Sequence, residues 1–196
     1  TAGQNNLWTG VSFNDLALFF GGAPDAPIKH DGTTGNAAAL GGSPPSARTA
    51  FVANNRVFAC STAANPSLIQ WCILSDASDW TGAGSGNAHV SKNDGEELLT
   101  GTPLNVGQAI LWKNSSTHLM ILQQSLSSFP IYQLQKGIGA AGRNAIVNVN
   151  GTIYIVTPSR RMKATTDGMQ FVDFPHDVDD LWDSVNSSRT AYIQGA

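Results

Sequence analysis

The chain has 196 residues, 41% of them hydrophobic and 13% charged, with a formal net charge of −3 at pH 7. This composition predicts a folded globular protein and argues against a disordered one. The 11 Lys and Arg residues are scattered, which argues against a protein that binds nucleic acid by neutralising phosphates. No apolar run approaches the ~20 residues of a membrane span.

Short apolar runs recur along the chain, separated by clusters of Gly, Asn, Pro and Ser. The pattern predicts short antiparallel strands with little helix, and it leaves the polar stretch 82–97 as a loop. In chain order, the predicted strand segments are 16–22, 26–32, 47–61, 67–76, 98–104, 107–124, 129–135 and 144–172. Tight turns are expected at Asn54-Asn55, Asn114 to Ser116, Asn150-Gly151 and Asp167-Gly168.

The predicted strands repeat as a four-stranded unit of about 45 residues, over 49–80, 98–135 and 144–174. Such a period is typical of β-propeller blades, which bury their faces by stacking on one another. We therefore predict an all-β fold, a partial β-propeller of four-stranded antiparallel blades over residues 1–196, with a β-sandwich as the structural alternative. Because the chain starts without Met and stops within "TAYIQGA", we expect it to be a segment of a longer protein.

One short amphipathic helix is predicted near residues 177–186. Val178, Leu181, Trp182 and Val185 share one helical face. The aspartates of this segment fall mostly on the other face and have no His or Cys cluster beside them. A solvated face is therefore favoured over a metal site.

The stretch "KGIGAAGRN" spells G-x-G-x-x-G with Gly137, Gly139 and Gly142, as in a dinucleotide-binding loop. Such a loop must follow a strand and open a helix. Here the sequence that follows is β-branched and predicts a hairpin. We interpret the three glycines as a turn between blades, where a positive φ or a close approach of strands favours Gly.

Few residues combine into a chemical site. The histidines His30, His89, His118 and His176 fall in separate units without ligand spacing, so no metal or cofactor is predicted. Residues 91–97, "SKNDGEE", match a calcium loop only weakly. Cys60 and Cys72 lie on strands expected to pair, so a disulfide is conceivable, but free thiols in a β core are favoured.

The sharpest enzyme candidate is "SDASDWTG", since propeller sialidases carry a repeated S-x-D-x-G-x-x-W turn. Ser75 and Trp80 are two residues too close together here, the Gly is missing, and the motif occurs once. A glycosidase, with carboxylates near Asp76 and Asp79, is therefore an alternative, as is a kelch-like protein-interaction propeller. No catalytic residue is assigned.

The order of several motifs resembles the β-propeller tail proteins of bacteriophages, the nozzle or tubular tail proteins beneath the portal of short-tailed phages. The segments that carry the resemblance are "NDLALFFGGAPDAPIKHDG", "RVFACSTAANPSLIQWCILSDASDW", "NVGQAILWKNSSTHLMIL", "KGIGAAGRNAIVNVNGTIYIVTPSRRMKATTDGMQFV" and "DLWDSV". Together they cover most of the chain from Leu16 onward. Family members are longer and contain a full propeller with further domains.

The resemblance implies a structural virion protein of the tail or neck, made in the host cytoplasm, which is not an enzyme and has no cofactor. The expected partners are further copies in a hexameric ring, neighbouring tail, neck or portal-adaptor proteins, and DNA that passes through the lumen during ejection without sequence-specific binding. Trp8 and Trp80 are interpreted as exposed aromatics and candidate subunit anchors, because Trp is enriched at interface hot spots, with core packing as the alternative for each. Arg160 and Arg161, in "SRRMK", are candidate contacts to an anion or partner, with a solvated turn as the simpler interpretation.

Overall fold

The computed structural model describes residues 7–33, 35–123 and 128–173. These residues form four antiparallel sheets of four strands each, and they contain no helix. The all-β prediction, with four-stranded antiparallel blades, is confirmed. The predicted helix at 177–186 lies outside the described residues.

Each sheet is a meander whose strands are hydrogen-bonded in chain order. The first two sheets comprise β1 (Thr9–Phe13), β2 (Leu16–Phe20), β3 (Ile28–His30) and β4 (Ala38–Ala39), then β5 (Ala47–Ala53), β6 (Arg56–Thr62), β7 (Asn65–Trp71) and β8 (Gly86–His89). The third and fourth comprise β9 (Leu98–Asn105), β10 (Gln108–Lys113), β11 (Ser116–Ile121) and β12 (Ile131–Lys136), then β13 (Ile146–Val149), β14 (Thr152–Val156), β15 (Met162–Thr165) and β16 (Val172–Asp173).

Two expectations are corrected by these boundaries. The sequence predicted three units, whereas the structure has a further sheet at the N-terminus, opened by β1, which was missed because its "TGVSF" carries only two large apolar residues. The stretch 82–97 was predicted as a loop, yet it contains β8. That strand pairs with β7 at the edge of its sheet, where backbone hydrogen bonds hold it without a hydrophobic run.

Asparagine sets the tight hairpins. Asn54 and Asn55 both have positive φ between β5 and β6, and Asn150 and Gly151 do the same between β13 and β14. Two consecutive residues of this kind give the turn whose twist matches paired strands. The predicted turns at Asn54-Asn55 and Asn150-Gly151 are confirmed.

Three apolar seams hold consecutive sheets together. The seam between the first and second sheets contains Phe13, Leu18 and Phe20 opposite Ala50 and Val57. The seam between the second and third contains Phe51, Phe58, Trp71, Leu111 and Met120, and the seam between the third and fourth contains Ile110, Trp112, Ile153 and Ile155. Since each middle sheet is buried on both faces, its second strand has a continuous apolar run, 57–60 in β6 and 109–112 in β10.

Candidate functional site

A buried lysine at the junction of the second and third sheets gathers several ionisable side chains. Lys113 ends β10, and its side chain has no solvent-exposed surface. Its Nζ donates to both carboxylate oxygens of Asp94 at 2.6 Å and to the carbonyl oxygen of Val90 at 2.9 Å. A buried charge is tolerated only when it is paired and hydrogen-bonded in this way. The contact therefore ties the β8–β9 loop to the third sheet.

Asp94 remains ionised in this setting. Burial raises its pKa, but the hydrogen bond from Lys113, the backbone amide of Glu96 and the charge of Lys113 together hold the pKa below its ordinary value. The carboxylate is thus negative at neutral pH, opposite the ammonium that it neutralises.

His118 lies beside this ion pair on β11 and is 2% exposed. Burial, followed by the positive charge of Lys113, lowers the pKa of His118, so its ring is neutral at pH 7. Its Nε2 lies 3.1 Å from the Oγ of Ser116. The Ser116 hydroxyl also contacts Glu96, which in turn accepts from the hydroxyl of Ser115.

A Ser–His pair with a nearby carboxylate invites comparison with a hydrolase triad, but the geometry differs. In a triad the carboxylate orients the His ring, whereas here Glu96 contacts the hydroxyl of Ser116. Ser116 is 5% exposed, so the hydroxyl is closed off from a substrate. The arrangement fits a structural clasp, which we call the Lys113 clasp: Lys113, Asp94, Glu96, Ser116 and His118.

A second set of polar contacts lies where the first strands of the sheets adjoin, with β5 beside both β1 and β9. The Glu97 carboxylate accepts from Arg48 at 2.9 and 3.0 Å and from the Ser61 hydroxyl at 2.6 Å. Arg143, from the loop before β13, donates to the carbonyl oxygens of Arg48 at 3.1 Å and Leu7 at 2.8 Å. This rim links β5 and β6 of the second sheet with the segments that precede β1, β9 and β13.

The two tryptophans proposed as subunit anchors differ in their exposure to solvent. Trp8 is 44% exposed, and its ring lies against Gly21, where an added Cβ would come within 2.9 Å of it. Trp80 is 3% exposed and packs in the seam between the first and second sheets, with its Nε1 donating to the carbonyl oxygen of Ala77 at 2.7 Å. The expectation that Trp80 is exposed is therefore wrong, because the turn that carries it folds inward. Trp8 stays a candidate.

Arg160 and Arg161 lie in the turn between β14 and β15. Arg161 is exposed and Arg160 is half-buried with a φ of 60°. Thr157 organises the turn, since its backbone amide donates to the carbonyl oxygen of Arg161 at 2.9 Å and its own carbonyl accepts from the Arg160 amide at 2.8 Å. Both guanidinium groups stay candidate partner contacts.

The Ser75–Trp80 turn uses its two carboxylates to hold its own backbone. Asp76 accepts from the Ser78 hydroxyl at 2.6 Å and amide at 2.8 Å, which lower the pKa of Asp76. Asp79 accepts from the amides of Thr81 and Gly82. A carboxyl that acts as a general acid near neutral pH needs a raised pKa, whereas the hydrogen bonds around Asp76 lower its pKa.

The glycine-rich loop follows β12 and leads into β13, so it does not open a helix. Gly137 has a φ of +86°, and a Cβ on Gly139 would lie 2.2 Å from the carbonyl oxygen of Lys113. The first glycine supplies a left-handed turn and the second allows close approach to the β10–β11 hairpin. The interpretation as a turn between blades holds for both.

Cys60 and Cys72 are free, buried thiols on opposite faces of the second sheet. Cys60 lies in the seam towards the third sheet and Cys72 in the seam towards the first. Burial raises the pKa of both thiols, that of Cys72 to about 11. A disulfide between them is excluded by this orientation. Within the described residues, no cluster of His, Cys, Asp and Glu could hold a metal ion.

Sequence reasoning missed the Lys113 clasp. The sequence pattern places Lys113 only within a strand segment, and residues 91–97 match a calcium loop only weakly. The usable signal was a lysine at the end of the very apolar run "AILWK", because a cation on a doubly buried strand requires an anion.

Comparison with known proteins supports the fold alone. No family model matches the chain, and no curated protein matches it in sequence. Among solved structures, the chain is similar to BamB from Moraxella catarrhalis, a β-propeller, with a TM-score of 0.52 and 12% identity. The match covers 86% of this chain and 49% of BamB, so the chain spans about half the length of that protein. Among the described residues, no helix is long and apolar enough to cross a membrane.

Proposed function

We propose that this chain is a structural protein of a bacteriophage tail or neck, a nozzle-type propeller that forms part of a ring-shaped conduit for DNA. The observation that carries the proposal is the continuous stack of four sheets, joined by three apolar seams and fastened by the ion pair of the buried Lys113 with Asp94. The resemblance of the ordered motifs to those of tail propellers supports the proposed place of the stack in a tail or neck.

The role would be mechanical. A conduit must keep its shape while DNA passes, and close-packed apolar seams deform little. The Lys113 clasp also resists movement of the β8–β9 loop. Moving this loop would remove Asp94 from Lys113 and leave a buried cation without a partner. The net charge of −3 disfavours adhesion of DNA through like-charge repulsion.

Assembly of the ring needs exposed anchors. Trp8 is the strongest, as a half-exposed aromatic beside the rim where Arg143 reaches Leu7. Aromatic side chains of this kind often contribute much of the binding energy of an interface. Arg160 and Arg161 would contact acidic groups of a neighbour.

The enzyme alternative is less well supported by the geometry. Asp76 and Asp79 are engaged in turns, and the Ser116–His118 pair is buried. A kelch-like interaction module keeps the same fold but predicts a monomer. The oligomeric state therefore separates the alternatives.

The test is native mass spectrometry of the purified protein together with electron microscopy of single particles. A closed ring of about six copies supports the proposal, since a conduit requires closed cyclic symmetry. Trp8→Ala should shift the population towards monomer, while Tyr132→Ala, which removes another exposed aromatic, should leave the ring intact. A protein that stays monomeric at all concentrations would overturn the proposal.

A further inference from the structure

The three seams show how the sheets of this chain stack. Each of the first three sheets turns one face towards the sheet that follows, and each of the last three turns its other face towards the sheet that precedes. We call these the forward face and the backward face. In the first sheet, Val11, Phe13 and Leu18 lie on the forward face. Within the described residues, the backward face of the first sheet and the forward face of the fourth receive no other sheet.

The forward face of the fourth sheet is apolar and partly exposed. Cross-strand pairing places three valines on this side, opposite the seam with the third sheet: Val147, Val149 and Val172. Val149 is 48% and Val172 69% exposed. The two charged residues on the strands of this sheet, Lys163 and Asp173, pair with each other on the backward side. The strands therefore contribute no charge to the forward face.

The backward face of the first sheet is apolar as well. Phe19 on β2 pairs with Ile28 on β3, which pairs with Ala39 on β4, so these three side chains share one face. Leu18, the neighbour of Phe19, lies in the seam with the second sheet, so the shared face is the backward one. Ala39 is exposed, and Phe19 and Ile28 are half-buried. Part of this apolar surface therefore meets solvent.

Trp8 extends the backward face beyond the start of β1. Its side chain is 44% exposed, and a Cβ added to Gly21 would lie 2.8 Å from its ring. Gly21 follows Phe20, whose side chain lies in the seam with the second sheet, so the Trp8 ring covers the opposite side. The candidate anchor Trp8 thus belongs to the uncovered face of the first sheet.

The four sheets amount to about half of a propeller. They match 49% of BamB, a β-propeller, over 86% of this chain. In a closed propeller every blade packs between two others. The two faces left uncovered here are of the two kinds that meet at each seam, one forward and one backward. A second copy presents the same two faces, so a pair related by a twofold axis covers all four.

We propose that two copies of this chain close one propeller, with the forward face of each fourth sheet packed on the backward face of the other copy's first sheet. Val149 and Val172 of one copy then meet Trp8 and Ala39 of the other. Both junctions remove exposed apolar surface from water, and the valine face needs no opposite charge. The inference goes beyond the proposed function, because a propeller of two copies requires no larger ring. Three such pairs would supply the six copies of the proposed conduit.

The test mixes variants of the 196-residue chain that carry one new aspartate each. Ala39→Asp charges the backward face and Val172→Asp the forward face, both at exposed positions. The matched controls are Ala38→Asp, an exposed neighbour on the other side of β4, and Val106→Asp, a valine that is 79% exposed in the β9–β10 turn. Native mass spectrometry over a range of concentrations gives the fraction of paired chains, and circular dichroism checks that each variant is folded.

The parent and both controls should pair, whereas each face variant alone should pair at least about tenfold more weakly, because an aspartate would be buried at both junctions. Mixing the two face variants should restore pairs that contain one chain of each, since one junction of such a pair has no new charge. A misfolded variant would not regain a partner on mixing.

Three results would overturn the proposal: a parent that stays monomeric, pairing that survives Val172→Asp or Ala39→Asp, or no mixed pairs. Survival in only one face variant would assign the contact to two identical faces. A larger ring that persists in both face variants would overturn this inference and leave the proposed conduit standing. A pair that forms no larger ring would support this inference and count against the conduit.

Discussion

The Lys113 ammonium and the Asp94 carboxylate lie 2.6 Å apart but differ in exposure: the lysine side chain has none, while the aspartate side chain keeps 32%. The two partners therefore face different alternatives when the pair is broken. Asp94 can regain water, whereas Lys113 cannot without opening the junction between the second and third sheets.

This difference predicts unequal effects of removing each partner. Asp94→Ala leaves a buried, unpaired cation and should cost about 3–5 kcal/mol in the free energy of unfolding. Lys113→Met keeps the apolar stem and should cost about 1–3 kcal/mol, through the hydrogen bonds lost by backbone carbonyls. Urea denaturation monitored by Trp fluorescence measures both.

The control for this pair is Lys163→Met, which breaks the contact with Asp173, a carboxylate with 80% exposure. A surface pair of this kind should change stability by less than about 1 kcal/mol. If Lys113→Met proves as destabilising as Asp94→Ala, the predicted inequality is wrong, and an unpaired buried cation is no more costly here than the loss of the ammonium group itself.

A pH dependence follows from His118. Because its pKa is lowered in the folded state, the unfolded chain binds the proton first as pH falls below about 6.5. Stability is complete above that value and declines as pH falls towards the folded pKa, with a slope of at most about 1.4 kcal/mol per pH unit. His118→Gln should remove this decline between pH 7 and 5.

His89→Gln serves as the matched variant, since His89 is exposed and accepts or donates a single contact with Ser67. Because this variant retains His118, the decline in stability with falling pH should persist. Urea unfolding curves at several pH values give the free energy of unfolding of the parent and of the two His variants. Protonation of Asp94 does not overlap with that of His118. Because the pKa of Asp94 is lowered in the folded state, the stability that this carboxylate contributes is lost only under more acidic conditions.

Much of the fold is readable from the sequence because it depends on local signals. Asn54-Asn55 and Asn150-Gly151 mark hairpins through backbone conformation alone. Runs such as "VFAC" and "AILW" indicate doubly buried strands. β1 and β8 escaped prediction because pairing, rather than their own composition, makes them strands.

The candidate contacts were harder to predict, since they depend on which residues meet across sheets. Nothing local to Trp80 distinguishes an exposed anchor from a core residue, and its burial follows from the path of the Ser75 turn. The ion pair joins Lys113, at the end of β10, to Asp94 in the loop between β8 and β9. The requirement that a buried cation be paired indicates that Lys113 needs an anionic partner, but it does not identify Asp94 as that partner.

Close contact between the second and third sheets predicts a strong effect at Gly101. A Cβ at this position on β9 would lie 2.2 Å from the ring of Phe51, which is itself stacked on Phe58 at 5.0 Å between centroids. Gly101→Ala should cost about 1–3 kcal/mol through overpacking. Gly35→Ala, where no heavy atom lies within 4 Å, should leave the melting temperature nearly unchanged. Equal melting temperatures for the two variants would contradict the packing of this junction.

The opposite orientation of Cys60 and Cys72 predicts how the thiols react. In the native protein both should be almost inert to a disulfide reagent, because they are buried and the pKa of Cys72 is raised to about 11, so little thiolate is present at pH 8. Unfolding in urea should release two thiols that react at once. Intact mass should be the same with and without reductant, since the second sheet separates the two sulfur atoms. A gain of two hydrogens on reduction, or rapid native labelling of Cys60, would contradict the seams as described, because either requires the second sheet to open.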